Sequence, residues 1–520
     1  MKFLVSKTTL FLGGMVLFIS LLQAGEPRKI ELLHADFLEY NEAVSGKYKR
    51  LIGNVSFRHD SAYMYCDSAH FFSESNYLEA FSRVHIVQGD SLNLYGDMMK
   101  YYGDTKKVDL YNHIRLIDKT MTLTTDLLHY DMITDVASYT TGGKIVDKDD
   151  TLLSKIGNYY SNANEFFFRE KVSLTNPDYV MKSDTLKYNT LTKTAYFLGP
   201  TTITGKEDSI FCKSGWYDTE KEISNFHKDA FIRTGKQEIS GDSVLYNKGS
   251  GYSRIFGSIS LRDTAEKIVI SGDYGEHNEN NDSSFVTGHA MLVQIMDDDT
   301  LFLHADTLFS LKDSVSNAIL SAKKIVPEDS VRKILLAYHH VKIYKSDMQG
   351  KCDSLTYSFR DSLIRLFKKP VMWSNENQLT GDRMALQMAN DKMDKLYLSG
   401  SSFIISQQDS LRFNQIKGKE MTGFFTENEL KRIYVEGNGQ TIYFAKDKDE
   451  KYIGVNRVEG SNIMIYIDSS KVKKINIIKS PEAVFYPVKE LSYKELLFKD
   501  FFWRQKERPL KKEDIFEHDL

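Results

Sequence analysis

A short word that returns at a nearly constant interval constrains this chain more than any other feature. The word is a small residue, Asp, any residue, an apolar residue, any residue and Tyr. Its second position, called the marker below, recurs every 29 to 31 residues between Asp36 and Asp273. A repeat of this length cannot bury its apolar residues alone, so neighbouring repeats must stack and share one core. The markers of this regular series are Asp36, Asp67, Asp97, Asp126, Lys155, Asp184, Lys213, Asp242 and Asp273.

The residues between the markers alternate between apolar and polar, which predicts β-strands. Clear examples are residues 194–203, 253–261 and 395–404, each bounded by turn-forming residues. The chain holds 30 Tyr and 31 Phe but only 8 Pro, a composition that favours pleated, half-buried surfaces. Helical periodicity is scarce before residue 488. The sequence therefore predicts an all-β protein, elongated because its repeats of about 30 residues stack.

The positions two and four after each marker should lie on one face of the stack, because side chains alternate along a strand. Repetition turns these positions into an apolar stripe. If the stack opens along one side, the stripe is a groove that could hold acyl chains, and if it closes, the stripe is a core. The groove candidates are Leu38, Tyr40, Met99, Tyr101, Leu128, Tyr130, Leu186, Tyr188, Val244, Tyr246, Leu355 and Tyr357.

The other residue types argue against catalysis and against nucleic acid. A formal charge of −3 argues against a nucleic-acid binder of the basic-groove kind. Cys66, Cys212 and Cys352 each stand directly before a marker, where other repeats carry small residues, so they are expected in the core. The replacement of the marker Asp by Lys in some repeats argues for turn formation and against a shared catalytic carboxylate. We expect no enzyme activity, no cofactor and no metal site, since no clustered motif such as H-E-x-x-H occurs.

The two ends of the chain differ from the repeats. Lys2 and Lys7 precede the apolar run Leu10 to Leu22, and small residues follow, which is typical of an export signal over residues 1–24. The run of about 13 residues is short for a membrane helix, although retention as an N-terminal anchor stays open. Repeats are expected over residues 25–300 and, in looser register, over 301–487. Residues 488–520 form a charged tail that caps the terminal sheet edge or binds a partner.

Several stretches of this chain resemble the OstA-like family, the periplasmic lipopolysaccharide-transport proteins of the LptA kind. The resemblance is carried by the marker words, by the alternating stretches after them, and by residues 416–421 leading into residues 433–443. It covers roughly residues 30–485. The resemblance implies V-shaped antiparallel strands stacked into a β-jelly roll with a lipid-holding groove. Because the chain is several times longer than the short bridging proteins of that kind, it is similar to OstA-like proteins built from several fused modules.

What the resemblance implies about function is a lipid-binding bridge that carries lipopolysaccharide along an apolar groove to the outer membrane. The location would be the periplasm of a Gram-negative bacterium. The partners would be lipopolysaccharide or lipid A and other jelly-roll components, joined by pairing of edge strands, with self-association as a further use of such edges. The alternative is an extracellular β-solenoid that binds or degrades polysaccharide, or a structural adhesin. The step of the pathway, the form of the lipid and the oligomeric state stay open.

Overall fold

The computed structural model describes most of the chain, and nearly all of that part is β-structure. The described residues are 29–40, 48–89, 92–118, 121–206, 208–265, 267–296, 299–313, 333–389, 392–468, 471–487 and 492–517. They contain 38 β-strands and four short 3₁₀ helices. The predicted all-β class is therefore confirmed, whereas the predicted export signal lies outside the described residues.

The strands up to residue 160 are β1 (Glu31–His34), β2 (Phe37–Glu39), β3 (Lys49–His59), β4 (Ala62–Phe72), β5 (Tyr77–Gln88), β6 (Leu92–Tyr102), β7 (Lys107–Asp118), β8 (Met121–Asp131), β9 (Val136–Tyr139), β10 (Gly143–Asp147), β11 (Asp150–Ser154) and β12 (Ile156–Tyr160). The next strands are β13 (Glu165–Thr175), β14 (Val180–Asn189), β15 (Thr194–Phe197), β16 (Thr201–Thr204), β17 (Asp208–Cys212), β18 (Ser214–Asp218), β19 (Ile223–Thr234), β20 (Gln237–Asn247), β21 (Tyr252–Asp263), β22 (Ile268–Asn278), β23 (Ser283–Thr287), β24 (Met291–Ile295), β25 (Thr300–His304) and β26 (Thr307–Lys312).

The remaining strands are β27 (Lys333–Lys345), β28 (Met348–Ser358), β29 (Leu363–Phe367), β30 (Val371–Ser374), β31 (Asn377–Thr380), β32 (Arg383–Ala389), β33 (Lys392–Gln407), β34 (Phe413–Thr426), β35 (Glu429–Lys446), β36 (Tyr452–Asp468), β37 (Lys471–Ile478) and β38 (Glu482–Tyr486). The 3₁₀ helices are Ser161–Ala163, Tyr493–Leu496, Gln505–Glu507 and Lys512–Phe516.

Two compact units divide the described residues. The first runs to Thr151 and includes Lys155–Asn162, and the second comprises Leu152–Ser154 and the described residues from Ala163 onward. This division lies closer to the N-terminus than the predicted boundary at residue 300, which was drawn where the repeat register loosens. Within each unit consecutive strands pair antiparallel, as in the series β3 to β8. This pairing differs from that of a parallel β-helix.

Each long strand is interrupted near its middle by a bulge, and the bulge sits where the repeat places a marker or its partner. On β3 the register with β4 shifts between Ile52 and Val55. The two residues in between, Gly53 and Asn54, both have positive φ, of 81° and 43°. Such a pair, called a corner below, bends the strand and adds twist. Other corners are Ser82–Arg83, Asn112–His113, Glu170–Lys171, Lys228–Asp229, Gly257–Ser258, Gly288–His289, His339–His340, Lys368–Lys369, Gly400–Ser401, Gly437–Asn438 and Lys479–Ser480.

The marker of one repeat binds the corner that follows it. The backbone N–H of Asp273 donates to the Gly288 carbonyl at 2.8 Å, and the Asp273 carboxylate lies 2.7 Å from Nδ1 of His289. Asp67 and Asp97 bind their corners in the same way, through Arg83 and His113 respectively. The marker is therefore part of a turn-like corner, as predicted from its residue type.

Adjacent histidines at one corner follow this rule rather than strand geometry. His339 and His340 both have positive φ and form a corner. Nδ1 of His340 lies 2.8 Å from the Asp306 carboxylate, whereas Nδ1 of His339 lies 3.4 Å from that of Asp353. Asp306 and Asp353 are the markers of two later repeats in looser register, so each histidine contacts a different marker.

Marker and corner divide the paired strands into two legs. The first leg contains the residues after the marker and those before the corner, and the second leg contains the residues before the marker and those after the corner. Residues of both legs that face each other are buried, such as Leu94 of the second leg and Met99 of the first, each 0% exposed. The shared core predicted from the repeat therefore lies between the legs.

The C-terminal segment, residues 492–517, packs on the opposite face of the second legs. Phe498 is buried in a cluster with residues of β33 to β36, and Leu496, Leu497, Phe501 and Trp503 pack against the same cluster. The strand residues of this cluster are Phe403, Ile405, Phe413, Ile442, Phe444 and Val455. The outer sheet face is thus apolar in these repeats because the C-terminal segment covers it.

Two buried glutamine amides hold the backbone of this segment. Gln415 donates to the Leu496 carbonyl at 2.9 Å and accepts from the Phe498 N–H at 2.9 Å. Gln378 donates to the Phe502 carbonyl at 2.8 Å and accepts from the Arg504 N–H at 2.6 Å. Both side chains therefore satisfy the segment's backbone much as a neighbouring strand would.

Candidate functional site

The predicted groove residues occupy the space between the legs at different depths. At the position two after the marker the side chains are almost fully buried: Met99, Leu128, Leu186, Val244 and Leu355. At the position four after the marker, Tyr101 and Tyr130 are buried, whereas Tyr188, Tyr246 and Tyr357 are half-buried. Leu38 and Tyr40 are each 54% exposed, beside the edge formed by β1 and β2. Their role in holding lipid stays a prediction.

Tyrosines of the first unit bridge the two legs. The Tyr101 hydroxyl of the first leg contacts Nδ1 of His59 at the end of the second leg. One repeat later, Tyr130 donates to Oε1 of the Gln88 side-chain amide at 2.9 Å, and in the next repeat Tyr159 donates to the Asp118 carboxylate at 3.3 Å. These three contacts, called the tyrosine bridges below, span the opening between the legs.

Burial has a measurable consequence for the tyrosine bridges. It raises the pKa of Tyr101, Tyr130 and Tyr159 above the usual value, because the phenolate would lose its hydration. The hydroxyls therefore stay protonated and keep donating hydrogen bonds over the whole neutral range. In the first unit the legs are joined at three successive repeats.

The second unit contains a cavity between its legs. The cavity has a volume of about 390 Å³ and lies between residues 237 and 362. One wall is the second legs, whose apolar side chains are Ile239, Leu261, Ile268, Ile270 and Leu292. The other wall is the first legs, which contribute Leu335 and the predicted groove residue Tyr357, together with polar side chains. The neighbouring tyrosine Tyr246 donates to Glu279 at 3.2 Å, a residue beyond the end of β22, rather than across the legs.

Charged side chains at one end of the cavity are paired with each other. Nζ of Lys333 lies 3.1 Å from the Asp263 carboxylate and 3.3 Å from that of Asp282. Asp282 also accepts a hydrogen bond from the Gln237 amide at 3.2 Å. Two carboxylates thus neutralise the one ammonium group.

A buried histidine lines the same cavity. His277 is 4% exposed, and its Nδ1 lies 3.0 Å from the Ser284 hydroxyl. Among the described residues, its Nε2 has no hydrogen-bond partner. Burial lowers the pKa of His277, so the ring is neutral at pH 7.

The three cysteines lie in the core, as predicted from their place in the repeat. Cys66, Cys212 and Cys352 are buried and free. Burial raises the pKa of these thiols to about 12, 11 and 12 respectively, which suppresses the reactive thiolate.

Neither a metal site nor a membrane helix is found in the described ranges. No three side chains of His, Cys, Asp or Glu come together there in a way that could hold a metal ion. No helix among these residues is long and apolar enough to cross a membrane. The absence of a cofactor and of enzyme activity stays a prediction.

Comparison with known proteins identifies the N-terminal repeats. Residues 27–184 match the family model of the OstA-like proteins. This chain contains an OstA-like domain. The matched residues include the markers from Asp36 to Asp184 and the tyrosine bridges of the first unit. The resemblance inferred from the marker words is thereby confirmed for this part of the chain.

The comparisons with solved structures and with curated proteins give less information about this chain than the family model does. One similar structure is the crystal structure of LptH, the LptA homologous periplasmic component of the conserved lipopolysaccharide transport device from Pseudomonas aeruginosa. It is 14% identical, and the match covers 27% of this chain and 99% of that one with a TM-score of 0.22. At that score the likeness carries no argument about this chain. No curated protein matches the chain.

Two parts of the site were not predicted from the sequence. The corners were missed because residues as different as Gly, Lys and His occupy them, so no single residue type marks them. His277 was missed although it is the one histidine at the position four after a marker of the regular series, where the other repeats carry Tyr or, after Asp67, Phe. That substitution was the available signal.

Proposed function

We propose that this chain is a periplasmic lipid-binding bridge that carries lipopolysaccharide along the space between its legs to the outer membrane of a Gram-negative bacterium. The observation that carries the proposal is the apolar interior, which recurs at the same positions in successive repeats and contains a cavity of about 390 Å³ in the second unit. Each acyl methylene buried there would contribute about 0.8 kcal/mol. The OstA-like domain supports this function through the family it belongs to.

The exposed edge at the N-terminal end supports a partner that pairs with strands. In the described residues β1 and β2 pair on one side only, with β3. Their apolar side chains are exposed, including Phe37 at 71% and Leu38 at 54%. An unpaired edge with apolar side chains is suited to β-augmentation. The partner proposed for this edge is another jelly-roll component of the transport machinery, with a second copy of this chain as the competing occupant.

Site-specific photocrosslinking tests the lipid path. A photoreactive phenylalanine analogue would replace Tyr357 or Tyr246, which face the interior, in protein produced in a Gram-negative host. We expect lipopolysaccharide adducts at both positions. Tyr397 is the matched control, because it lies between the buried residues Leu396 and Leu398 and is 37% exposed on the outer face. Equal adducts at the inner and outer positions, or adducts at neither, would contradict the proposal.

A further inference from the structure

We propose that the cavity of the second unit is a discrete pocket for an alkyl chain that bears a hydroxyl group, and that the hydroxyl binds Nε2 of His277. This inference rests on the proposed function in one respect, namely that alkyl chains enter the space between the legs. It goes further by assigning one pocket, one polar contact and one chemical class of ligand.

His277 has a polar ring atom whose contact is not supplied by the described residues. Its side chain is 4% exposed, it lines the cavity, and its Nε2 has no partner among the residues that the structure describes, although Nδ1 is engaged by Ser284. Buried polar atoms in native proteins nearly always have a hydrogen-bond partner, and one left without is unfavourable. A ligand group in the cavity would satisfy it.

The ring chemistry favours a hydroxyl over other polar groups. If Nδ1 carries the proton and donates to Ser284, Nε2 is an acceptor that needs a donor. If Ser284 donates to Nδ1 instead, Nε2–H is a donor that needs an acceptor. A hydroxyl can play both parts, whereas a carboxylate can only accept.

The charges around the cavity disfavour an anionic head group. The charged side chains that line the cavity are three acidic and three basic, Glu238, Asp263, Asp282, Arg262, Lys333 and Arg360. Lys333 is paired with Asp263 and Asp282, at 3.1 and 3.3 Å, and Nε of Arg262 lies 3.9 Å from the Glu238 carboxylate. A carboxylate or phosphate buried among them would lose its hydration without meeting a net positive charge. An uncharged polar group avoids that cost.

The wall opposite His277, formed by the second legs, would contact the alkyl part of the ligand. Ile239, Ile268, Ile270 and Leu292 present a continuous apolar surface. The volume of about 390 Å³ falls in the range of about 300 to 1,000 Å³ that is typical of pockets for small molecules.

Calorimetric titration of the full chain with two eight-carbon probes tests the pocket. We expect 1-octanol to bind saturably at one site and octanoate to bind at least about tenfold more weakly, because a buried carboxylate loses its hydration and meets no net positive charge in the cavity. His277→Phe should weaken octanol about tenfold, since it removes the polar contact and keeps a planar ring. Leu292→Trp should abolish binding by filling the cavity.

A matched variant separates the pocket from general effects of histidine removal. His289→Phe changes an exposed corner histidine outside the cavity and should leave octanol binding unchanged. The proposal is overturned if octanol fails to saturate, if octanoate binds equally well in the wild type, or if His277→Phe binds octanol normally. Thermal melts would establish that each variant is folded.

Lipopolysaccharide binding, measured on the same preparations, distinguishes this inference from the proposed function. Lipopolysaccharide binding without octanol binding would overturn the pocket and leave the transport function standing. Octanol binding with the expected preferences, but no lipopolysaccharide binding, would overturn the transport function and leave the pocket.

Discussion

At the scale of single residues, the marker acts through the side chain it meets at the corner. Asp67 meets Arg83, Asp97 meets His113, and Lys213 meets Asp229, so the sign of the charge is exchanged when the marker changes. Each of these repeats therefore keeps a pair of one acidic and one basic side chain, although the residue types differ. Because these pairs are exposed, each contributes little to stability, and their role is to fix the corner geometry.

The histidine of one such pair gives a direct test. The Asp97 carboxylate lies 2.6 Å from Nδ1 of His113 and raises the pKa of that histidine above the usual value of about 6.5. A raised pKa means that the pair favours folding below pH 6.5 and that this contribution declines as the pH rises through the folded-state pKa. In Asp97→Asn we expect the pKa of His113 to fall toward 6.5, as measured by NMR titration.

His277 is the internal control for that titration. Its pKa is lowered by burial and involves no marker, so Asp97→Asn should not move it. A His113 pKa that is the same in wild type and variant would show that the carboxylate does not act on the ring.

The residue scale also shows what the sequence could and could not predict. The burial of Met99, Leu128 and Leu355 follows from alternation along a strand, which sequence displays directly. The tyrosine bridges could not be predicted, because each joins residues about 40 positions apart, such as Tyr130 and Gln88. Whether two such residues come into contact depends on how strongly each strand bends at its corner.

At the scale of elements, the corner is the unit that turns an ordinary hairpin into a two-legged one. Positive φ at two consecutive residues is unfavourable for most side chains, and it is maintained because the strands on both sides are paired. The corner at Gly257 and Ser258 is a clear case, since the register of β21 with β22 shifts between Phe256 and Ile259.

Replacing the glycine of that corner should be costly. Gly257 has a φ of 65°, and a Cβ added there would collide with the Asp242 carboxylate. We expect Gly257→Val to lower the free energy of unfolding by about 1–3 kcal/mol, because it adds both backbone strain and a clash. Urea denaturation would measure it.

Gly249→Ala provides the comparison for that variant. Gly249 lies in an exposed turn with ordinary φ, and the nearest atom to an added Cβ is 3.6 Å away. A change of about 0.5 kcal/mol or less is expected there. Equal losses for both variants would count against a special role of the corner.

The C-terminal segment is a second element whose attachment can be tested. Gln378→Ala removes one donor and one acceptor from the backbone of residues 502–504. We expect a loss of about 1–3 kcal/mol, because buried backbone groups are left unsatisfied. Relative to wild type, Gln378→Ala should also speed up backbone hydrogen exchange in residues 492–517, and it should do so more than in β33 to β36.

A glutamine elsewhere in the same repeats is the matched control. In the part of the chain that the structure describes, the Gln408 side-chain amide bonds only to Ser406 and to the Gln407 carbonyl, close to it in sequence. Gln408→Ala should leave exchange in the C-terminal segment unchanged. Faster exchange in both variants would mean that the segment is not held by Gln378.

The place of this segment could not be predicted from its own sequence. The sequence predicts a charged tail that caps the terminal sheet edge or binds a partner, whereas the segment packs on the outer sheet face with Phe498 and Ile515 buried. The signal lay instead in the strands, where Gln349, Gln378 and Gln415 recur four residues before successive markers on the outward side. A buried outward glutamine indicates a polar partner, but alternation alone does not reveal whether that partner is water or chain.

At the scale of the whole molecule, the repeat should allow the number of repeats to change without loss of the fold. Neighbouring repeats supply each other's core, so removal of one complete repeat restores the same kind of junction. Deleting residues 213–241 joins Cys212 to Asp242 and recreates a small residue followed by a marker. We expect this variant to keep the β-sheet circular dichroism and a cooperative melt.

A deletion longer by one residue tests the same reasoning. Removing residues 213–242 shifts the following strand by one position, which directs its apolar side chains to the outer face. We expect loss of cooperative unfolding. If both deletions behave alike, the repeat does not determine which side chains face the core.

The buried thiols have a consequence for biogenesis. In an oxidising compartment, unpaired cysteines are targets for mixed disulfides, and this chain carries three of them. Once the strands close over Cys66, Cys212 and Cys352, the thiols are shielded and protonated. At the proposed periplasmic location, the vulnerable interval is therefore the one between translocation and sheet closure, and closure of the sheet is what protects the thiols from oxidative trapping.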